Sequence, residues 1–303
     1  MDKTFLNLFA RRGLSLDRLR VLLEIADAGG IAKAVGKDPV RQSQYSRQLK
    51  ELEEYFGVEL TRRDGKSLVL TRAGQQLADI IRQNFLGLAD FATACAHEPA
   101  IFHLGAGDSL IHWKVLPHIG AFQKVFPAII MSIRNLQTAQ IIDALHSLRL
   151  DFGIMRRNAI PSVFKSVSLG KMEYALFVPK QLLPGSSGKT CEWVMNNVPM
   201  VAMDSSGEFA RKLDEMMRRS RIKMNIRLEC ESFPAACHAI QSGCYAGILP
   251  TMAATDLPED KFVRIEAPLF KRLSREIALA WNPRIMRLRS ASVEIASWFG
   301  KNL

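Results

Sequence analysis

Residues 29–56 read GGIAKAVGKDPVRQSQYSRQLKELEEYF and contain two helix-forming segments separated by a helix breaker. The first segment is short, residues 31–37, and Asp38-Pro39 ends it because the residue before a proline avoids the helical conformation. A longer, polar-faced helix is predicted from about Val40 to Phe56, and the following glycine ends it. A short helix, a tight turn and a longer helix are typical of a helix-turn-helix.

The flanking segments extend this unit on both sides. Residues 16–28 repeat apolar side chains at steps of three and four, which predicts an amphipathic helix capped by Ser15 and ended by Gly29-Gly30. Residues 58–71, VELTRRDGKSLVLT, place the turn signal Asp64-Gly65 between β-prone segments. This second pattern predicts a two-stranded wing.

A long helix over about 72–94 follows the wing, and its length favours a connector or a dimerisation seam. Beyond it, predicted strands alternate with predicted helices, which indicates a parallel α/β sheet. The strands are expected at 101–107, 128–135, 151–157, 174–179, 199–204, 226–231, 245–250 and 275–281. The helices are expected at 110–124, 137–150, 207–221, 233–242 and 288–300.

The composition describes a folded globular chain. It has 303 residues, 48% of them hydrophobic and 23% charged, which favours two or three domains. The net charge of +11 is compatible with a nucleic-acid partner. However, residues 1–98 hold 15 basic against 13 acidic side chains, so bulk charge does not identify the DNA-binding segment.

The sequence also predicts the cellular compartment and the redox state of the cysteines. It has neither a recognisable signal peptide nor an apolar run of about 18 residues, so we expect a cytoplasmic protein without a membrane partner. The odd number of cysteines predicts reduced thiols rather than a disulfide scaffold. These cysteines are Cys95, Cys191, Cys230, Cys237 and Cys244.

Residues 29–74 resemble the DNA-binding domain of the LysR family of bacterial transcription regulators. The residues that carry the resemblance are Gly29, Ala34, Gln42, Ser46-Arg47-Gln48-Leu49, Leu52-Glu53, Gly57-Val58-Glu59-Leu60, Arg62-Arg63 and Leu70-Thr71-Arg72-Ala73-Gly74. The remainder resembles the family's effector domain more loosely. Its matching segments are LGAGDS (104–109), Leu116-Pro117, Phe122, Phe126-Pro127, LRLDFGI (148–154) and QSGCYAGILP (241–250).

The resemblance implies an α/β protein overall. It implies a winged helix-turn-helix domain at 1–70, a linker or dimerisation helix at 71–98 and a two-lobed, periplasmic-binding-protein-like effector domain at 99–303. Lobe 1 would comprise about 99–157 and 268–303, and lobe 2 about 158–267. Such a protein is a sequence-specific DNA-binding regulator of transcription rather than an enzyme, and no cofactor is implied. The implied partners are double-stranded DNA, a small-molecule effector, further copies of the chain in a dimer or tetramer, and RNA polymerase.

Four positions depart from the family pattern. Asp38 lies where the family usually has a core leucine, and Arg41 replaces the usual Ser or Thr cap of the recognition helix. Ser43 replaces a common proline, and Thr61 stands in the Leu-Phe-x-Arg segment. We therefore expect a shifted turn before the recognition helix.

The start of the recognition helix is rich in side chains that can read base edges, since Gln pairs with adenine and Arg with guanine. The candidates there are Arg41, Gln42, Ser43, Gln44, Ser46, Arg47 and Lys50. In and beside the wing, Arg62, Arg63, Lys66 and Arg72 are expected to meet phosphates or the minor groove, and a solvated basic loop is the alternative. Tyr45 is expected to pack against the first helix instead.

The effector site is expected beyond the carboxyl ends of the parallel strands, where ligands of α/β sheets usually bind. By resemblance the cleft candidates are Asp108, Ser109, Thr138, Met155, Met203 and Ile248. Asp108 disfavours a carboxylate ligand and favours a polyol, an amine or a peptide-like effector. Alternatively, Asp108 and Ser109 only cap a helix.

Other functions stay open from sequence. A free solute-binding protein and an enzyme share two-lobed α/β scaffolds, although no catalytic motif is visible. An effector domain that binds no ligand is a further alternative. Cys230, Cys237 and Cys244 recur at steps of seven, which allows redox sensing, but ordinary packing is the commoner role of cysteine and metal sites have tighter spacing.

Overall fold

The computed structural model describes residues 13–64, 67–183, 190–204 and 207–303, together with Leu8 and Ala10. The chain divides into two compact units, Met1–His97 and Glu98–Leu303. Each unit buries apolar side chains of its own, as expected of separate domains.

The first unit contains helices and a two-stranded wing. Its elements are α1 (Leu16–Ala28), α2 (Ile31–Val35), α3 (Pro39–Phe56), β1 (Thr61–Asp64), β2 (Ser67–Leu70) and α4 (Arg72–Cys95). The wing strands are antiparallel, with Arg62 opposite Val69. The predicted helices and wing are therefore present, while Gly65 of the predicted turn lies outside the described residues.

Asp38 caps the third helix. Its carboxylate accepts hydrogen bonds from the backbone nitrogens of Val40 at 3.0 Å and Arg41 at 3.1 Å, and Pro39 occupies the first turn. The family pattern had put the cap at Arg41, so the structure corrects this position by three residues. Asp followed by Pro is a strong start signal, because the carboxylate satisfies free N–H groups and proline has none to satisfy.

The second unit contains two five-stranded sheets with covering helices. Its strands are β3 (Ala100–Ala106), β4 (Ile129–Asn135), β5 (Phe152–Arg156), β6 (Lys165–Met172), β7 (Tyr174–Pro179), β8 (Met200–Met203), β9 (Ile226–Cys230), β10 (Ala246–Pro250), β11 (Phe262–Ile265) and β12 (Arg275–Trp281). Its α-helices are α5 (Asp108–Leu110), α6 (Ile119–Val125), α7 (Thr138–His146), α8 (Cys191–Asn197), α9 (Glu208–Ser220), α10 (Phe233–Gln241), α11 (Ile285–Leu288) and α12 (Ser292–Asn302).

Both sheets are mixed rather than parallel, which corrects the sequence expectation. The strand orders are β4-β3-β5-β12-β6 and β11-β7-β10-β8-β9. β3 is parallel to β4 and β5, but β12 is antiparallel to β5 and β6. In the same way β7 is antiparallel to β10 and β11. The two reversed strands each follow a crossover from the other sheet, so they enter at the edge where the parallel strands end.

The boundary between the two lobes also differs from the expected position. Residues 158–267 were assigned to lobe 2, yet β6 pairs with β12 in the first sheet, with Val167 opposite Leu279. The crossover therefore lies between Met172 and Tyr174. The sequence pattern missed β6 because most of its side chains are exposed and an exposed edge strand lacks clear apolar alternation.

The predicted helix at 110–124 is broken into short turns. A π-helical turn at Ile111–Val115 and a 3-10 turn at Leu116–His118 separate α5 from α6. Pro117 lies in the 3-10 turn, where it removes a backbone donor from a continuous α-helix. The break places Trp113 and His112 where they reach the second lobe.

Candidate functional site

Helix α3 has one buried and one exposed face. Tyr45, Leu49 and Leu52 are buried at helical spacing against α1. The candidate base-reading residues of this helix are all exposed: Arg41, Gln42, Ser43, Gln44, Ser46, Arg47 and Lys50. The buried face therefore fixes the helix to its domain and leaves a polar, basic face free.

Tyr45 connects the start of α3 to α1. Its hydroxyl donates a hydrogen bond to the carboxylate of Glu24 and accepts one from Arg41 Nη2 at 3.0 Å. The guanidinium of Arg41 also lies 5.5 Å from the Tyr45 ring centroid. The bond from Tyr45 is the main cause that lowers the pKa of Glu24, and Arg20 adds to it. Tyr45 thus packs on the first helix, and it also orients Arg41.

Two other cations of α3 form ion pairs with carboxylates one turn further along the helix. Arg47 Nε lies 3.1 Å from Glu51 Oε1, and Lys50 lies 4.0 Å from Glu54. The Arg47 side chain is 83% exposed, and exposed ion pairs contribute only about 0–1 kcal/mol. Arg47 can therefore exchange Glu51 for a base or phosphate at little cost.

Glu53 of α3 fixes the start of the wing, and the wing carries exposed cations. One oxygen of Glu53 accepts hydrogen bonds from the Leu60 nitrogen at 2.8 Å, the Thr61 nitrogen at 2.9 Å and the Thr61 hydroxyl at 3.0 Å. Arg62 and Arg63 are exposed on β1. Arg72 is exposed at the start of α4, while Lys66 lies outside the described residues. The unusual Thr61 therefore adds a hydrogen bond to the joint between α3 and the wing.

The candidates of the second unit lie partly at the expected edge of the first sheet. Asp108 and Ser109 follow β3, Thr138 follows β4, and all three are half-buried. Gly107 is the N-cap of α5 and no side chain caps it, so capping does not account for Asp108 or Ser109. The cap of α7 is Gln137, which leaves the Thr138 hydroxyl without that role.

Met155 does not line a cleft. It is 2% exposed and packs in a small core with Ile141, Leu145 and Phe164. Alternate residues of a strand point to opposite faces, and Met155 lies on the face covered by α7. Arg156, one residue further, reaches the second lobe and pairs with Glu208.

Met203 and Ile248 line a small apolar cavity of about 10 Å³ inside the second lobe, together with Phe209 and Leu213. Such a volume holds at most one water molecule. These two residues therefore form a packed wall beside Phe209 rather than an open pocket.

The sequence reasoning missed a cluster at the crossovers between the lobes. Tyr174 is the first residue of β7 and Arg275 is the first of β12. The Arg275 guanidinium carbon lies 5.9 Å from the Tyr174 ring centroid and 5.7 Å from that of Phe209. About one hundred positions separate Tyr174 from Arg275, so local pattern carries no signal for their meeting.

Asp256 forms another contact between the two lobes. Its Oδ2 accepts a hydrogen bond from Trp113 Nε1 at 2.7 Å and lies 3.1 Å from His112 Nε2. Trp113 belongs to the first lobe and Asp256 to the second. A charge-assisted hydrogen bond therefore joins the two lobes at this point.

Comparison with known proteins identifies the family. The profile described as "LysR substrate binding domain" matches residues 98–293, more than half of the chain. The profile described as "Bacterial regulatory helix-turn-helix protein, lysR family" matches residues 16–75. The chain belongs to the LysR family. This LysR-family chain is a DNA-binding transcription regulator with an effector-binding domain.

Named relatives of this LysR-family protein are regulators of transcription. A probable nitrogen assimilation transcriptional activator of Synechococcus elongatus is 25% identical over 279 residues, covering 88% of both chains. The regulator TdcA of Escherichia coli is 24% identical over 292 residues, covering 92% of this chain and 91% of TdcA. The similarity therefore spans both units and not the helix-turn-helix alone.

Solved structures show the same fold for the LysR-family chain. Full-length OxyR from Pseudomonas aeruginosa, solved as a cysteine-to-aspartate variant, superposes with a TM-score of 0.64 at 19% identity, covering 95% of each chain. Full-length CbnR, solved in complex with its target DNA, superposes with a TM-score of 0.55 at 22% identity, covering 93% of this chain and all of CbnR. The predicted winged helix-turn-helix and α/β effector domain are thus confirmed.

Two of the three cysteines that recur at steps of seven in the LysR-family chain, Cys230 and Cys237, are held as thiols. Cys237 is buried, and burial raises the pKa of its thiol to about 12, with nearby Asp256 adding to the effect. Burial also raises the pKa of Cys230. Both groups therefore stay protonated at neutral pH, whereas redox-sensing cysteines are thiolates.

Two absences hold for the residues that the structure describes. No helix among them is long and apolar enough to span a membrane. No group of three or more His, Cys, Asp or Glu side chains among them could hold a metal ion.

Proposed function

We propose that α3 lies in the major groove of double-stranded DNA and reads its sequence. The observation that carries this proposal is the two-faced burial of α3: Tyr45 and Leu49 anchor one face, while the other is polar and exposed. Gln42, Ser43, Gln44, Ser46, Arg47 and Lys50 are the proposed groove-facing residues. Each good bidentate contact discriminates between bases by about 1–3 kcal/mol.

The wing supplies contacts that position the domain on DNA. Arg62, Arg63, Lys66 and Arg72 neutralise phosphates, and Arg41 joins them from the start of α3, where Tyr45 orients it. Phosphate contacts release counterions, so they make the affinity depend on salt without reading sequence.

Helix α4 joins two copies of the chain. Ile80, Leu88 and Phe91 are 54%, 58% and 70% exposed and lie along one side of the helix. An exposed apolar stripe of this length is typical of an association surface. Burying it against a second copy gives a dimer with two recognition helices, and pairs of dimers give a tetramer.

An effector bound between the lobes controls the regulator. On the first lobe, the effector contacts the edge of the sheet at Asp108, Ser109 and Thr138. On the second lobe, the wall of the site is supported by Met203 and Ile248. The ligand acts by favouring one lobe arrangement over another, which couples the cleft to DNA bending and RNA polymerase recruitment in the cytoplasm. This function leaves no catalytic step to the chain.

The test is gel-shift binding of the full-length protein to its own upstream intergenic DNA at two salt concentrations. The variant Arg47→Ala is compared with Arg284→Ala, which changes an exposed arginine of the second unit. We expect Arg47→Ala to weaken specific binding by about 5- to 100-fold and Arg284→Ala to leave it unchanged. Equal binding to random duplex, or no effect of Arg47→Ala, would contradict the proposal.

A further inference from the structure

Three polar atoms at the crossovers lack hydrogen-bond partners. They are Nε and Nη2 of Arg275 and the hydroxyl oxygen of Tyr174, all buried and without a partner among the described residues. Buried hydrogen-bond donors in native proteins are nearly always paired, so each of these unpaired atoms needs an explanation. Three unpaired atoms in one cluster indicate that the cluster binds an acceptor from outside the chain.

The unpaired atoms of Arg275 define the shape of that acceptor. Nε and Nη2 lie on the same edge of the guanidinium group, and their two N–H bonds point in parallel. A carboxylate offers two oxygens at the matching spacing, so this edge binds it through two parallel hydrogen bonds. A neutral carbonyl or hydroxyl satisfies only one of the two donors.

Charge around the cluster favours an anion. Arg156 approaches Arg275 from the end of β5, and burial together with Arg275 lowers the pKa of Arg156. Arg211 adds a further positive charge nearby. Glu208 is shared between Arg156 and Lys212. Arg156, Arg211 and Arg275 therefore bring their positive charges close together, and a carboxylate bound at Arg275 would relieve their mutual repulsion.

Apolar surface adjoins these donors. The rings of Tyr174 and Phe209 stack at 4.7 Å between centroids, and Phe233 meets Phe209 at 4.9 Å. A neighbouring cavity of about 190 Å³ shares Tyr174 as a wall, and its lining mixes apolar and charged residues: Ala267, Pro268 and Phe270 with Glu173, Glu266 and Lys271. This volume is below the range of drug-sized pockets, about 300–1,000 Å³, and suits a smaller molecule.

We propose that this regulator senses a small monocarboxylate with an apolar body, held through its carboxylate by the Nε–Nη2 edge of Arg275 and the hydroxyl of Tyr174. The inference rests on the proposed effector function and names its ligand class. The carboxylate of the ligand contacts Tyr174 after one crossover and Arg275 after the other, so its binding stabilises one arrangement of the lobes. Burial raises the pKa of Tyr174 to about 12, which keeps its hydroxyl a donor at neutral pH. Glu173 and Glu266 line the neighbouring cavity, so the part of the ligand that enters this cavity carries no negative charge of its own.

The test is calorimetric titration of the full-length protein, without DNA, with acetate, benzoate and phenylacetate and with the three matching amides. We expect at least one acid to bind wild type at least about 10-fold more tightly than its amide. Arg275→Met should weaken that binding by about 10- to 100-fold and Tyr174→Phe by about 3- to 10-fold. Arg272→Met, three positions from Arg275 and exposed, should bind like wild type.

Two controls separate loss of the site from loss of the fold. Without ligand, Arg275→Met should unfold at an equal or higher temperature than wild type, because it removes a buried cation with unpaired donors. Arg275→Lys retains the charge but lacks the paired edge, so its affinity should lie between those of wild type and Arg275→Met. The proposal is overturned if no acid binds wild type more tightly than its amide, or if Arg275→Met binds as wild type does. Since DNA is absent, failure of the gel-shift experiment would not alter either result.

Discussion

Tyr45 acts as a structural link between α1 and α3 through the carboxylate of Glu24. The hydrogen bond from Tyr45 is the main cause that lowers the pKa of Glu24 from its ordinary value of 4.5. A carboxyl group whose folded pKa is lowered contributes stability above its unfolded pKa, and this contribution disappears as the pH falls through the folded pKa. The stability of the DNA-binding unit therefore depends on Glu24 being ionised.

Tyr45→Phe should lower the free energy of unfolding more at pH 7 than at pH 3, because the hydroxyl stabilises ionised Glu24. The difference from wild type should narrow as the pH falls below about 4.5, the ordinary pKa of this group. Urea unfolding at several pH values measures it. Tyr55→Phe is the control, since the Tyr55 hydroxyl donates to the backbone carbonyl of Leu8, which does not titrate. A pH-independent effect of Tyr45→Phe would contradict the role of Glu24.

At the scale of elements, the joint between the wing and α4 depends on Gly74. A Cβ atom built on Gly74 would lie 2.1 Å from the carbonyl oxygen of Leu60. The same carbonyl accepts a hydrogen bond from the Thr71 nitrogen at 2.9 Å. Helix and wing base therefore touch through backbone, which leaves no flexible side chain to move aside.

Gly74→Ala should reduce stability by about 1–3 kcal/mol, because the added methyl group displaces the wing base. Gln75→Ala, at the next and exposed position of α4, should change it by no more than about 0.5 kcal/mol. Chemical denaturation of the full-length variants measures both. Equal stabilities would mean that the wing moves freely relative to α4.

The secondary elements differ in how far sequence alone predicts them. α1 and α4 follow from local apolar spacing, and their ends lie at or next to the predicted residues. The Asp38 cap carried a local signal too, but the family pattern drew attention to Arg41. β6 and β11 were missed, because each pairs with a strand that is distant in sequence, β12 and β7 respectively. The turn-broken segment at 110–124 was read as one helix because its apolar spacing continues through Pro117.

At the scale of the whole molecule, the Asp256–Trp113 hydrogen bond is one of the contacts that join the two lobes of the effector unit. Asp256→Ala should destabilise this unit by about 1–3 kcal/mol, because it leaves the mostly buried indole N–H of Trp113 unpaired. Thermal unfolding measures the loss, and small-angle scattering should show more open lobes. Asp260→Ala changes an exposed residue four positions later, and it should neither lower the unfolding temperature nor open the lobes. Unchanged unfolding of Asp256→Ala would show that the lobes close without this contact.

Self-association is also a property of the whole molecule. Phe91→Glu should weaken the proposed dimer at least about tenfold, because pairing through α4 would bury an unpaired charge. Gln75→Glu places the same charge on the opposite side of α4 and should leave association unchanged. Sedimentation velocity over a concentration series measures both. Equal association of the two variants would exclude this side of α4 as the seam.

Apolar periodicity and turn residues were sufficient to establish the helix-turn-helix, the wing, the long helix and an α/β second unit, because each of these depends on neighbours along the chain. The lobe boundary, the reversed strands and the face occupied by Met155 depend on strand pairing across long separations, which local pattern does not contain. The Arg275–Tyr174 cluster likewise depends on contacts between residues distant in sequence. Its two residues meet only because both crossovers enter their sheets at one edge. That their donors have no acceptor among the described residues is therefore visible only in the tertiary structure.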